Sequence, residues 1–391
     1  MNIGFDAKRF FLNQTGLGNY SRDLVNGILE KEEDNNYFLY TPEGEIDMRT
    51  KFLKGRDEVK IIYPKGIFKR FKSYWRSVRL EKELVKNKID VFHGLSHEIP
   101  KKRKGSKIKY VVTVHDLIFI RYPKNYSRID RKIYLKKVKY ACENADKIIA
   151  ISLQTKRDII EYLKIPSEKI EVIYQTCAKS FMLKVNYQYI DVVQKKYNLP
   201  ENFILYVGTV ETRKNLGLLV DALGKTYTKL PLIVVGKKTK YLDEVWQKVE
   251  ENGLQKQVAF LENVSFLDLP SIYQMANLFV YPSRFEGFGI PVLEALYSRT
   301  PVIAATGSCL KEAGGEHSIY INPDDSDELA EKIDLVIESP ELQLKMKEKG
   351  YEHALNFSSE KQAEEVFESL SKFVIWNEDS SLFWKQIFRV K

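Results

Sequence analysis

Three observations lead us to expect two doubly wound α/β domains in tandem. Short β-branched apolar runs alternate with longer amphipathic segments along the chain. The alternation pauses between Thr176 and Pro200 and then restarts. Residues with chemical character fall directly after the apolar runs in both series. Strand-helix alternation is the signature of parallel sheets covered by helices. In such sheets ligands bind beyond the carboxyl ends of the strands, so two facing domains would form a deep cleft between those ends.

The first series places strands at 3–7, 37–40, 59–63, 91–93, 110–115, 147–151 and 170–174, with helical patterns from Gly18 and over 131–144 and 153–163. The second places strands at 203–207, 232–235, 258–261, 278–281, 301–304 and 318–321. Helical patterns at 216–223, 242–251, 269–276, 291–298, 326–337 and 340–355 separate or follow them. The expected organisation is a domain over 1–185, a second over 186–372 and a tail over 373–391. The tail carries Phe373, Trp376, Phe383, Trp384 and Phe388, which would cover the first domain or meet a membrane.

The 391 residues are 44% hydrophobic and 12% aromatic, enough for two cores. No run approaches the roughly 18 apolar residues of a membrane-spanning helix. The start, Met1-Asn2-Ile3-Gly4-Phe5-Asp6, reads as a strand and not as a signal peptide. Cys142, Cys177 and Cys309 are few, odd in number and scattered, as expected of reduced thiols in a cytoplasm. The net charge of +9 hides an asymmetry. Residues 60–139 hold 24 Lys+Arg against 6 Asp+Glu, a balance of +18 that leaves −9 for the rest. That block would suit acidic lipid headgroups, phosphorylated substrates or nucleic acid, or would form a solvated lysine-rich surface. It carries none of the usual nucleic-acid recognition motifs, and no nucleic-acid partner is expected.

The strongest local pattern is Glu286-Gly287-Phe288-Gly289-Ile290-Pro291-Val292-Leu293-Glu294, which follows the run at 278–281. Pro291 suits the first turn of a helix. Gly287 and Gly289 allow a ligand close to the backbone. The helix start would present N–H groups and partial positive charge to a phosphate. Glu286 would then face the group attached to that phosphate, and Glu294 the hydroxyls beside it. A turn with two ordinary surface glutamates satisfies the spacing equally well.

The stretch 207–215 follows the first strand of the second series and ends in Arg213-Lys214-Asn215. There Arg is a fork and Lys a point charge for phosphate oxygens. Gly16 and Gly18 stand at the start of a helix, where a close ligand or a plain tight turn would both account for them. His115-Asp116-Leu117 follows a buried strand. His115 would contact a sugar hydroxyl or phosphate and Asp116 would orient it, or His115 would be a structural histidine; His93 is a similar candidate. Over 67–80, aromatics recur every three or four residues among lysines and arginines. Lys69, Arg70, Phe71, Trp75, Arg76 and Arg79 would form one face against an anionic membrane, or the helix would pack with a solvated basic side. Asp325-Ser326-Asp327 precedes a helical run and reads as an N-cap, and no Cys/His metal cluster is present.

Taken in order, Glu286 and Glu294 with seven residues between them, the Glu-x-Arg-Lys-Asn stretch at 211–215, the Gly-x-Gly-x-Tyr turn at 16–20 and the His-Asp-Leu at His115 resemble glycosyltransferase family 4, over nearly the whole chain. The resemblance implies a GT-B fold of two Rossmann-like domains, with acceptor bound by the first and nucleotide sugar by the second. It implies retaining hexosyl transfer, with a mild preference for mannose and a GDP-linked over a UDP-linked donor. The acceptor would be a glycan or lipid-linked glycan of cell-surface polysaccharide synthesis. Glu286 would meet the donor sugar, Glu294 the ribose, and Arg213 and Lys214 the diphosphate. The backbone at Phe288 and Ile290 would hold phosphate oxygens, and the loop near Val264 the base. Many relatives carry arginine after the glycine that corresponds to Gly208; here it is Thr209, and Arg213 is expected to take over its charge. No metal or other cofactor is implied. The protein is expected in the cytoplasm, peripheral on the inner face of the cell membrane. The alternatives set against this reading are a nucleotide-sugar epimerase on the same fold and a nucleic-acid-binding protein that uses the basic block.

Overall fold

The computed structural model describes residues 1–32 and 34–375. The chain divides into two compact units, Met1–Gln175 together with the segment from Ser359, and Thr176–Ser358.

The first unit is built on seven strands: β1 (Asn2–Asp6), β2 (Asn36–Tyr40), β3 (Val59–Ile62), β4 (Val91–Gly94), β5 (Lys109–Val114), β6 (Lys147–Ala150) and β7 (Ile170–Val172). Their order is β3-β2-β1-β4-β5-β6-β7, parallel at every pair. Ile3 is paired with Tyr37 on one side and Val91 on the other. The central strands are apolar on both faces because helices cover both, so they read as continuous apolar runs and not as alternating ones. The helix Gly16–Lys31 turns Tyr20, Leu24, Val25, Ile28 and Leu29 inward at helical spacing.

The second unit holds β8 (Ile204–Val207), β9 (Leu232–Val235), β10 (Val258–Leu261), β11 (Leu278–Tyr281), β12 (Val302–Ala305) and β13 (Ile319–Ile321). These are all parallel, in the order β10-β9-β8-β11-β12-β13. In both sheets the strand order reverses once, between β1 and β4 and between β8 and β11. Those two places are the switch points at which doubly wound sheets open a crevice for ligands. The N-cap reading of Asp325 holds. Its Oδ1 accepts from the backbone N–H groups of Asp327 at 3.0 Å and Glu328 at 2.9 Å, starting the helix Ser326–Glu338.

Two expectations need correction. The helix Ser359–Ile375 belongs with the first unit, not with 186–372. Ala363, Val366 and Leu370 enter the first unit's core, Lys31 pairs with Glu364 at 3.2 Å, and a Cβ on Gly27 would stand 2.9 Å from Ala363 Cβ. Phe373 packs on the same core; the rest of the expected tail, including Trp376, Phe383, Trp384 and Phe388, lies outside the described residues.

The second correction concerns 67–80, which is no continuous surface helix. A 3-10 turn (Gly66–Lys69) and one helical turn (Lys72–Tyr74) lead into a π turn (Trp75–Arg79) and the helix Leu80–Lys86. Trp75 is 1% exposed in the core. Arg76 is buried as well, forking onto Asp6 at 2.6–3.0 Å and reaching Glu98 at 2.7 Å. Burial opposes its charge, but the two carboxylates keep it firmly protonated. Neither residue is available to a membrane. Lys69, Arg70 and Phe71 are exposed, and Arg79 is half-buried over the Phe68 ring.

Candidate functional site

The second unit gathers the predicted residues at its switch point. β8 ends at Val207, and Thr212–Lys214 form a 3-10 turn that closes on Asn215 in the left-handed region, φ 60°. Asn215 is fixed by donating from Nδ2 to the Pro323 carbonyl at 2.7 Å. β11 ends at Tyr281, and the loop to Gly289 feeds the helix Ile290–Tyr297. Gly289 needs to be glycine: its φ is 112°, and a Cβ there would approach Leu310 Cδ2 to 2.9 Å. The two loops are tied where the Arg284 N–H donates to the Arg213 carbonyl at 2.9 Å.

Glu286 sits at the centre. Tyr281 and Ser283 each donate a hydroxyl to its Oε1 at 2.8 Å. Arg213 Nη1 lies 3.0 Å and Lys214 Nζ 3.2 Å from the same oxygen. All four contacts converge on Oε1, and Oε2 takes none of them. Burial works against ionisation of Glu286, but Lys214, Arg213 and the two hydroxyls outweigh it and lower its pKa to about 2. Arg213 also donates to the Phe285 carbonyl and pairs with Glu211, so it braces the loop as well as supplying charge. Burial opposes the charge on Arg213, while Glu286 and Glu211 keep it protonated. Lys214 Nζ donates to Tyr281 Oη at 2.5 Å. Its chain lies across Gly208, where a Cβ would stand 3.2 Å from Lys214 Cδ.

Glu294, one turn into the helix, is in a different environment. It is 8% exposed, and Oε2 accepts from Tyr273 Oη at 3.0 Å. Burial raises its pKa to about 7, against smaller opposing effects of Tyr273 and Lys214. Two glutamates eight positions apart are thus held as a firm carboxylate and as a group that titrates near neutrality. Gly287 borders this site, and Phe288 is buried against Phe357 with ring centroids 5.5 Å apart. The buried Cys309 thiol lies 3.1 Å from the Glu286 carbonyl and 3.0 Å from that of Phe288, bracing the loop from below. Val264 is half-buried in the loop after β10, two strands from β8. Sequence reasoning missed Tyr281, Ser283, Tyr273 and Cys309. Tyr281 and Ser283 are close enough in sequence to Glu286 to have been considered; Tyr273 and Cys309 reach the site only through the fold.

The first unit brings its candidates to its own switch point. A Cβ on Gly18 would meet the Asn13 carbonyl oxygen at 1.9 Å, so a tight turn explains that glycine; Gly16 faces open space. His93 Nε2 and Tyr20 Oη both reach Thr113 Oγ1, at 2.9 Å and 3.1 Å. His115 Nε2 donates to the Leu95 carbonyl at 2.9 Å, so its Nδ1 accepts from Gln175 Nε2 at 2.8 Å. Both ring nitrogens of His115 are thus engaged within the protein, and contact with a substrate would require one to exchange partners. His97, also missed, accepts from the His115 backbone N–H at 2.8 Å. Burial drives the three rings neutral, with pKa about 3 for His93 and His115 and about 4 for His97. Asp116 is half-buried, and its Oδ1 accepts from the Ile118 N–H at 2.9 Å. Among the described residues no group of three or more His, Cys, Asp or Glu is placed to hold a metal ion, and no helix is long and apolar enough to cross a membrane.

With this geometry in hand, the likenesses to known proteins are specific. The family model described as Glycosyltransferase Family 4 matches residues 15–176, and that described as Glycosyl transferases group 1 matches residues 190–353. O-antigen chain mannosyltransferase RfbU of Salmonella typhimurium is 32% identical over 65% of this chain and 66% of its own. O-antigen chain mannosyltransferase B of Escherichia coli is 29% identical over 62% of this chain and 64% of its own. The chain therefore spans just under two thirds of the length of these relatives. Among solved structures, Anabaena HepE in complex with UDP and glucose superposes with a TM-score of 0.72 at 20% identity, covering 95% of this chain and 100% of that one. Sucrose-phosphate synthase of Thermosynechococcus elongatus gives 0.75 at 20% identity, covering 96% and 99%. These neighbours identify the fold as GT-B, with two Rossmann-like domains. The chain belongs to the glycosyltransferases of family 4, with a group 1 glycosyltransferase domain in its second unit.

Proposed function

We propose that this protein is a retaining hexosyltransferase. In this reading it moves a sugar, mannose by preference, from a nucleotide diphosphate donor to a hydroxyl of a glycan or lipid-linked glycan during cell-surface polysaccharide synthesis. The observation that carries the reading is Glu286, held ionised through Oε1 by Arg213, Lys214, Tyr281 and Ser283 at the switch point of the second sheet. Its Oε2 is left to accept from a donor-sugar hydroxyl. The two named relatives favour mannose and O-antigen chains, and through mannose a GDP-linked donor.

The chemistry follows from the charges. Arg213, Lys214 and the N-terminus of the helix Ile290–Tyr297 stabilise charge that develops on the leaving diphosphate, the type of preorganised electrostatics that usually dominates catalysis. The leaving phosphate oxygen accepts the proton of the attacking hydroxyl on the same face of the sugar. The bond to the acceptor therefore forms on the side from which the diphosphate departs, and configuration is retained. Glu294 accepts from the ribose hydroxyls. No protein base is invoked, and charge neutralisation falls to side chains and not to a cofactor. Acceptor binding falls to the first unit, around His93 and Asp116.

The test is thermal melting of the intact chain with GDP, UDP and ADP, followed by transfer assays with the matching sugars. Ligand at 100 times its Kd adds about 2.7 kcal/mol to apparent stability. GDP should raise the melting temperature most. If no nucleotide diphosphate shifts it, the donor-site assignment fails; if UDP shifts it most, the GDP-mannose preference fails while the site stands.

A further inference from the structure

The basic block of the first unit has a structured part outside the predicted 67–80 face. The helix Arg128–Asn144 turns only Val138, Ala141 and Cys142 into the core. Ile129 is 72% exposed and Ile133 45%, and Tyr134 and Leu135 are exposed too. Beside this helix runs a groove of about 660 Å³, with the segment 98–101 and Ser77 in its other wall. Its apolar surface comes from Ile99, Ile133, Leu135 and Tyr140. Around that surface stand Lys101, Lys132, Lys136, Lys137 and Lys139.

The acids of the groove are already partnered. Glu98 is held by Arg76 at 2.7 Å and Lys137 at 3.2 Å, and Glu143 lies 3.8 Å from Lys139. Lys101, Lys132 and Lys136 make no ion pair among the described residues. An apolar trough with uncompensated cations on its rim is complementary to one chemical class: an anion that carries an apolar chain. A free phosphate would leave the trough uncovered, and a neutral chain would leave the lysines unmatched. The trough is also of the size that holds a small ligand in a cleft.

We propose that this groove seats the phosphate-bearing head and the first methylenes of an anionic lipid presented by a bilayer, docking the first unit on the membrane through the helix Arg128–Asn144. The idea rests on the reading of the chain as an enzyme acting on membrane-carried acceptors, but its test measures lipid binding and not transfer.

Co-sedimentation of the intact protein with phosphatidylglycerol-containing vesicles is compared with neutral phosphatidylcholine vesicles. Each basic residue near an anionic surface contributes about 1 kcal/mol. K101E/K132E/K136E should therefore weaken partitioning by about 100-fold or more. I133S/L135S should weaken it by about tenfold or more, from lost methylene burial. Thermal melting of both variants confirms folding, and a GDP-induced melting shift shows separately whether the donor site stands. K69E/R70E, on the neighbouring exposed segment, should partition like the parent. Equal binding to both vesicle types overturns the proposal. So does loss with the lysine variant alone, which would mean a bare electrostatic patch, or loss only with K69E/R70E, which would move the contact to 67–80.

Discussion

Glu294 gives the sharpest test of the site's electrostatics. Its carboxyl is 8% exposed, has one hydroxyl donor in Tyr273, and is pushed by burial from an ordinary 4.5 to about 7. An acid whose pKa is raised on folding favours the folded state below its unfolded value. That advantage is lost as pH climbs to the folded value, because the unfolded chain has released a proton that the folded one still holds. The window is therefore pH 4.5 to 7. At about 1.36 kcal/mol per pH unit, a gap of about 2.5 units is worth about 3 kcal/mol. Glu294→Gln keeps the shape and the acceptor for Tyr273 but removes the proton. The variant should match the parent near pH 4 and become progressively more stable relative to it, reaching about 3 kcal/mol by pH 8. Urea unfolding followed by circular dichroism, repeated at half-unit steps from pH 4 to 8, reads this directly. Parallel stability curves for parent and variant would show that Glu294 titrates normally, and the contrast drawn between the two glutamates would collapse.

Three other outcomes follow from the same geometry. Glu286→Ala and Lys214→Ala should each lower kcat/KM by about 10²–10³-fold in a transfer assay with the chain still folded; near-normal turnover in either would remove that residue from the site. Arg76→Ala leaves the buried Asp6 without its cation and Glu98 with Lys137 alone, and should cost about 3–5 kcal/mol in urea unfolding, whereas a loss below 1 kcal/mol would mean that the Asp6 carboxylate is readily hydrated. Gly236→Ala would place a Cβ 1.9 Å from the Gly208 carbonyl oxygen, so β8 and β9 must part at their ends and the melting temperature must fall; an unchanged melt would show that the strand ends yield freely.

Both sheets and their switch points were legible because buried parallel strands are written as continuous apolar runs, which local reading detects. Residues 203–207, 232–235, 258–261 and 278–281 were placed to within a residue for that reason. The loop at Glu286 was legible because glycine, proline and helix start are all local. What stayed hidden depends on distant partners. The periodicity of 67–80 marks an amphipathic segment but cannot say which face is inward; Trp75 goes inward to an apolar core and Arg76 to Asp6 and Glu98. Glu286 and Glu294 look alike in sequence; Lys214 and Arg213 stand against one and Tyr273 against the other, and only the fold distributes those neighbours. A 3-10 turn at Leu355–Phe357 and an extended Ser358 separate the helix Ser359–Ile375 from the one before it, but nothing local in that break announces a return to the first unit.

That return has a consequence for biosynthesis. Every strand of the second unit comes from the single stretch Thr176–Ser358, so the unit can close as soon as that stretch has left the ribosome. The first unit is made first but must wait. Leu24, Val25 and Ile28 share their core with Ala363, Val366 and Leu370, which are synthesised after the whole of the second unit. The earlier-made unit is thus the later to mature, with an apolar floor left uncovered while its neighbour folds, and a nascent chain halted at Ser358 would present that floor to chaperones.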